Sequence, residues 1–201
     1  MIYKIFQVTV ILFFAYFVSD FRKKNITKQL LSPTLLIAMK LAYMVPLIIF
    51  LSSVIRTERL LITDLLSLGI TLVGLGVVAF AKLTLGKNHS WTGYGTFPEV
   101  FCTGGVFSYV RHPMYSGIIT CIIGMVLHVV FHASLALILI NIIYSAFIVY
   151  VLTSSAKAET DHLLGLFGED YQNYIKQVHP FFPVRKYANE ASTEQPPRRC
   201  N

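Results

Sequence analysis

Charge is scarce in this chain. Only 13% of its residues are Asp, Glu, Lys or Arg, about half the share of an ordinary soluble domain. With 55% hydrophobic residues, a water-exposed globular fold is excluded. Cysteine is sparse too. Cys102, Cys121 and Cys200 have neither the spacing of a zinc knuckle nor a CxxC redox motif. Cys121 sits in an apolar run and reads as a small hydrophobe. Cys200, next to last, does not make a prenylation box. No HExxH, GxSxG, P-loop or Asp-rich motif occurs, so no metal is expected. No internal repeat or low-complexity tract is present. The net charge is +7, yet the basic residues flank apolar runs rather than forming one patch, which argues against nucleic acid as a partner.

What the sequence does have is apolar length. A helix needs roughly 20 apolar residues to cross a bilayer. Five stretches qualify, at 2–18, 33–54, 61–83, 113–131 and 133–153. They predict an all-α polytopic membrane protein with about five transmembrane helices. The first is followed by Ser19-Asp20-Phe21 and then Arg22-Lys23-Lys24, which is no cleavage pattern, so it reads as a retained signal anchor. Five spans put the N-terminus, the Arg56 and Arg59 loop and the turn at His132 on one side. The other side receives Arg22, Lys23, Lys24, Lys28, Lys87, Arg111 and the whole tail. By the positive-inside rule the second side is cytosolic, in the endoplasmic reticulum or a prokaryotic inner membrane. Lys40 and Asn141 stand deep in spans. Lys40 is read as snorkelling to the interface, with the lining of a polar cavity as the alternative. Gly69, Gly74 and Gly76 in span three predict close helix packing. Residues 1–186 read as one domain and 187–201 as a disordered tail.

Candidate chemistry lies on the basic side. Residues 85–110 form the longest polar connector, with Asn88, His89, Trp91, Gly93, Gly95, Gly104 and Gly105. Arg111-His112-Pro113-Met114-Tyr115-Ser116-Gly117 then opens span four. Proline suits a first helical turn, and the positive end of the helix suits a carboxylate or phosphate. Anchoring at lipid headgroups is the other reading of Arg111 and His112. Spans four and five form a hairpin turning near Phe131-His132-Ala133, so their basic-side ends are neighbours. The end of span five carries Glu159, Asp161 and His162. Glu159 placed beside the start of span four suits a zwitterion: the ligand carboxylate at the helix N-terminus, its ammonium at Glu159. Asp161 and His162 are read as a solvated face. Gly168 breaks the helix, and Tyr171, Tyr174, Ile175 and Val178 then share one stripe, predicting a C-terminal amphipathic helix on the membrane surface that caps the site.

Together, Arg111-His112-Pro113-Met114-Tyr115-Ser116-Gly117, the apolar hairpin, Glu159 placed before Phe167-Gly168, and Glu169-Asp170-Tyr171 with Tyr174 and Val178 resemble the isoprenylcysteine carboxyl methyltransferase family. Membrane methyltransferases of phospholipid amines and small thiols share the pattern. The resemblance covers roughly residues 83–183. It implies S-adenosylmethionine as methyl donor, held by membrane helices with the cofactor site on the cytosolic face. Carried onto this sequence, the cofactor contacts fall on Glu99, Val100, Phe101, Cys102, Phe107, His112, Pro113, Met114, Tyr115 and Glu159. Arg111 and His112 are the candidate catalytic residues. His112 and His162 are the candidate bases if the acceptor is a thiol or amine. The family usually has an arginine four residues before the glutamate, for the substrate carboxylate. Ser155 stands there instead and is the candidate substrate position, while Lys157 lies about 200° round the helix from it. The implied activity is carboxyl O-methylation of a lipidated or lipophilic acceptor reached through the bilayer, with no obligate protein partner. Phospholipid N-methylation or small-thiol S-methylation is the alternative. A transporter or assembly subunit is the reading from another class.

Overall fold

Helix starts in this chain are marked by residues that satisfy the first free N–H groups. The structure, a computed structural model, describes residues 2–18, 27–86, 92–98 and 101–183. The basic run Arg22-Lys23-Lys24, Lys87, the cofactor candidates Glu99 and Val100, and the 187–201 tail lie outside the described residues. In chain order the elements are α1 (Ile2–Val18), β1 (Thr27–Gln29), α2 (Pro33–Arg56), α3 (Ile62–Leu85), β2 (Tyr94–Thr96), a 3₁₀ turn (Gly105–Ser108), α4 (Pro113–His132) and α5 (Leu135–Gln177). Ser32 caps α2 by accepting from the Leu35 N–H at 3.4 Å, with Pro33 in the first turn. Asp64 does the same for α3, its Oδ2 accepting from the Leu61 N–H at 2.7 Å.

Four helices, α2 to α5, are long and apolar enough to cross a membrane, and α1 is a shorter apolar helix. At 17 residues, α1 is about 26 Å long, close to the thickness of a hydrocarbon core. The chain is an all-α polytopic membrane protein. Its small two-stranded antiparallel pair, β1 with β2, was not expected; Thr27 faces Thr96 and Gln29 faces Tyr94. Three-residue strands leave too short a pattern to read.

The last helix outruns its apolar span and breaks at Gly168, as expected. Hydropathy ends the fifth span at 153, but α5 continues to Gln177, 43 residues in all. That is about 65 Å, twice the roughly 30 Å hydrocarbon core. Hydropathy falls where lipid ends, whereas nothing in Ser154-Ser155-Ala156-Lys157-Ala158 stops a helix. Gly168 does interrupt it, with φ 53° and ψ −125°, a conformation that only glycine adopts cheaply. Helical turns resume beyond it.

Side-chain ties identify the two ends of the bundle. Tyr3 donates to the Asp64 carbonyl at 3.1 Å, Lys4 to the Ile55 carbonyl at 2.6 Å, and His132 lies 2.7 Å from Asp64. The start of α1, the α2–α3 turn and the α4–α5 turn therefore share one end, as the alternation of spans requires. Of the two polar residues expected deep in spans, Asn141 is buried and Lys40 is exposed, while Gln7, Asp64, Thr71 and His128 are fully buried.

The tightest contact is between α3 and α4. A Cβ on Gly74 would lie 2.6 Å from the Gly117 carbonyl oxygen, and one on Gly124 would lie 2.8 Å from that of Ser67. Ser67 donates to the Gly124 carbonyl at 2.7 Å. Backbones meet here because glycine removes the side chain between them, the usual means of helix association in lipid. Of the three glycines expected to do this in α3, only Gly74 does; Gly69 and Gly76 have nothing within 4 Å.

Gly74→Val forces these backbones apart, an overpacking that typically costs about 1–3 kcal/mol. The expected result is a clearly lower thermal midpoint in detergent for Gly74→Val and none for Gly76→Ala.

Candidate functional site

The α4 N-terminus is built by three segments. Its helix begins at Pro113, with His112 as the cap residue. The segment after α5 straps it in place: the Arg111 N–H donates to the His179 carbonyl at 3.0 Å, and the His112 N–H to the Pro180 carbonyl at 2.9 Å. The Ser116 hydroxyl lies 2.9 Å from the Phe181 carbonyl. These bonds hold the Arg-His-Pro turn against the far end of α5.

There the hairpin brings α5 alongside. The Tyr115 hydroxyl donates to Glu159 Oε1 in a short hydrogen bond. His112 Nδ1 lies 3.5 Å from Glu159 Oε2, and its Nε2 lies 3.0 Å from the Thr160 hydroxyl oxygen. The Thr160 hydroxyl also lies 2.8 Å from the Ala156 carbonyl of its own helix, which holds it in place against His112. A carboxylate is thus fixed beside the positive end of a helix, as the hairpin argument expects.

These side chains open on a cavity of about 210 Å³. Phe101, Cys102, Phe107, Arg111, His112, Pro113, Met114, Tyr115 and Glu159 all line it; Glu99 and Val100 are the two candidates outside the described residues. Ser155 does not line it. Its side chain is fully buried and donates to the Val151 carbonyl of its own helix at 2.8 Å. Lys157 is exposed and also absent from the lining. The cation that does line the cavity from this region is Arg111, whose Nε and Nη1 are buried without a hydrogen-bond partner.

Three readings change. Lys40 lines the cavity together with Met39 and Tyr43 of α2 while its side chain stays exposed, so the cavity alternative joins snorkelling. The signal was its depth in a span. His162 is not part of a solvated face: it lines the cavity, and its Nε2–H donates to the Thr96 carbonyl at 2.9 Å. Its ring meets Phe97 edge-on at 5.2 Å. Gly95 permits this, since a Cβ there would lie 2.5 Å from the His162 ring. Asp161 is exposed, as expected. The third change concerns the apolar stripe after Gly168. Tyr171, Tyr174 and Val178 bury against Phe101 instead of facing lipid, with ring centroids of Phe101 and Tyr171 5.2 Å apart. The stripe closes the cavity. Tyr174 donates to the Phe107 carbonyl at 2.6 Å and pins the 3₁₀ turn. This part of α5 lies beyond the membrane, where burial pushes the Tyr171 phenol up to about 12 against the lowering effect of Arg111. Tyr171 therefore stays a neutral donor at physiological pH.

Compared with known protein families, residues 62–170 match phospholipid methyltransferase. Among curated proteins no match is found. The matched stretch runs from α3 through the hairpin and includes Arg111, His112, Tyr115 and Glu159.

Tyr174→Phe deletes the bond to Phe107 while keeping the ring. A stability loss of about 1 kcal/mol is expected, measured as a lower midpoint in thermal unfolding, with Asp161→Asn unchanged as the exposed control.

Proposed function

The chain belongs to the phospholipid methyltransferase family and is an integral membrane methyltransferase, and from that premise we propose that it moves a methyl group from S-adenosylmethionine to the carboxylate of a lipophilic, isoprenylcysteine-like acceptor. The observation that carries this reading is the meeting of Glu159 with His112 and Tyr115 at the N-terminus of α4. One fixed anion beside one positive helix end suits the methionine part of the cofactor, which has an ammonium and a carboxylate. Glu159 takes the ammonium, and Tyr115 and His112 hold Glu159 in place. The first turn of α4, from Pro113 to Tyr115, takes the carboxylate. Phe101, Phe107 and Met114 supply apolar surface.

When bound, S-adenosylmethionine supplies an electrophilic methyl on a sulfonium. The remaining work is positioning and exclusion of water. Phe101, Tyr171 and Tyr174 close the cavity on one side. Arg111, with donors buried and unpartnered, is suited to hold the acceptor's carboxylate, the task for which Ser155 is unsuited. A carboxylate is already ionised and needs no base. An amine or thiol needs one; His112 has both ring nitrogens engaged, Nε2 with Thr160 and Nδ1 beside Glu159, so in the phospholipid-amine or small-thiol alternative the base is His162, which lines the cavity and bonds Thr96 through Nε2. Lys40 and Tyr43 bring α2 to the cavity, and between helices a lipid-linked acceptor has a lateral approach from the bilayer. The excess of Lys and Arg at this end assigns it to the cytosolic side, in the endoplasmic reticulum or a prokaryotic inner membrane.

Glu159→Ala should weaken S-adenosylhomocysteine binding by about tenfold or more, since a buried charged hydrogen bond is typically worth 1.5–3 kcal/mol. Unchanged affinity in calorimetry removes Glu159 from the site. Arg111→Ala should lower kcat/KM for a farnesylated cysteine acceptor while leaving S-adenosylhomocysteine affinity near wild type. Membranes incubated with labelled methyl donor should release base-labile volatile methanol; a base-stable lipid or thioether product would transfer the assignment to the amine or thiol reading.

A further inference from the structure

At the opposite end of the bundle from the cavity, three metal-ligating side chains converge inside the protein. Asp64 of α3 and His128 of α4 are fully buried, and His132 is largely so. His128 Nδ1 lies 3.0 Å and His132 Nε2 2.7 Å from the same oxygen, Asp64 Oδ1. The three ligand atoms lie within 4.8 Å of one another. His128 and His132 are four apart and so share one helix face.

We propose that Asp64, His128 and His132 form a binding site for a divalent first-row transition-metal ion, zinc in the first place, that clasps α3 to α4. Two imidazoles and a carboxylate are a donor set that suits zinc. Ligands about 2.0–2.1 Å from zinc in tetrahedral geometry lie roughly 3.3 Å apart. The observed 2.7 and 3.0 Å to Asp64 need a few tenths of an ångström of opening, and the two imidazole nitrogens, within 4.8 Å of each other, draw together about the ion by rotation of their side chains. Burial supplies a second argument. A fully buried carboxylate in an apolar bundle needs a compensating positive charge. Among the described residues the ion-pair partners of Asp64 are these two histidines, which are cationic only when protonated.

The surroundings are built as an outer shell. Asp64 Oδ2 is occupied by the Leu61 N–H, which orients the carboxylate and leaves Oδ1 for the centre. Phe50 packs edge-on against the His128 ring with centroids 5.3 Å apart. The Tyr3 hydroxyl donates to the Asp64 carbonyl, so α1 is joined to the same point. His128 Nε2 is buried without a partner. On metal binding the protons facing Asp64 leave both His128 Nδ1 and His132 Nε2, and each neutral ring carries its one hydrogen on its other nitrogen, Nε2 in His128 and Nδ1 in His132. Tyr115 and His128 are thirteen positions apart on α4, about 20 Å. An ion here is too far away to touch the methyl-transfer cavity and serves to hold helices together. The inference stands independently of the methyltransferase reading.

The test uses the full chain, purified in detergent without a histidine tag, stripped with EDTA and titrated with zinc chloride. Wild type should bind about one equivalent by elemental analysis, and its thermal midpoint should rise by several degrees as metal binding stabilises the folded state. Asp64→Asn, which keeps the shape and an acceptor oxygen, and His132→Ala should each lose the bound metal and the rise. S-adenosylhomocysteine affinity should stay at the wild-type value in both. Cobalt chloride added to the stripped wild type should give visible d–d absorption, a readout that does not need either variant to fold. Absence of stoichiometric zinc, of a midpoint shift and of cobalt bands in wild type overturns the site in favour of a hydrogen-bonded trio. An equal response in wild type and folded variants likewise overturns it.

Discussion

The contact of α3 and α4 at Gly74, Gly117 and Gly124 sets the geometry of everything else. In lipid there is little hydrophobic gain from bringing two apolar helices together, so association rests on close packing and polar contacts. Here the backbones approach until a Cβ would lie under 3 Å from the facing chain. Ser67 and Cys121 add polar contacts across the seam, to the Gly124 and Thr71 carbonyls. Such a contact has one register. A slide of α4 along α3 by one residue would place bulky side chains where glycines now sit.

That register places both ends of α4. At one end His112 and Tyr115 come level with Glu159, and the strap from His179 to Phe181 closes over the turn. At the other, His128 and His132 come level with Asp64. The two polar clusters are separated by packed apolar side chains and glycines, including Val78, Cys121, Ile122 and Met125. The cavity, lined by Tyr115, Glu159 and Arg111, lies at the end of the bundle away from Asp64.

The site gathers groups from distant parts of the chain. Lys40 and Tyr43 come from α2, Thr96 from the strand pair, Arg111 to Tyr115 from the start of α4, and Glu159, His162 and Tyr171 from α5. The length of α5 makes this possible. By continuing past the membrane it carries Glu159 and His162 to the cavity wall. The glycine at 168 then redirects it so that Tyr171 and Tyr174 turn onto Phe101. A helix ending with its apolar span would have supplied none of these groups.

Much of this was readable from sequence, for reasons tied to local pattern. Four long apolar helices follow from hydropathy, because lipid demands continuous apolar surface. The α4 start follows from Arg-His-Pro, because proline suits a first turn, where its missing N–H costs nothing. The pairing of that start with Glu159 follows from a short turn between two spans, which leaves their far ends adjacent. Other features needed the tertiary structure. Hydropathy reports the lipid boundary at 153 and Gly168 the break in the helix, but that the turns beyond Gly168 fold onto Phe101 depends on a distant partner. Gly74 could not be told from Gly69 and Gly76, because all three are glycines in one helix and only a neighbour decides which face is crowded. Lys40 and His162 were assigned by general tendency, and their places in the cavity depend on elements far away in sequence. The Asp64 cluster joins residues 64 and 68 positions apart. Sequence determined the solvent, the helices and one motif-bearing turn, since these are local properties of the chain. Which distant side chains share a cavity or an oxygen was decided by helix packing, since that depends on distances no local pattern encodes.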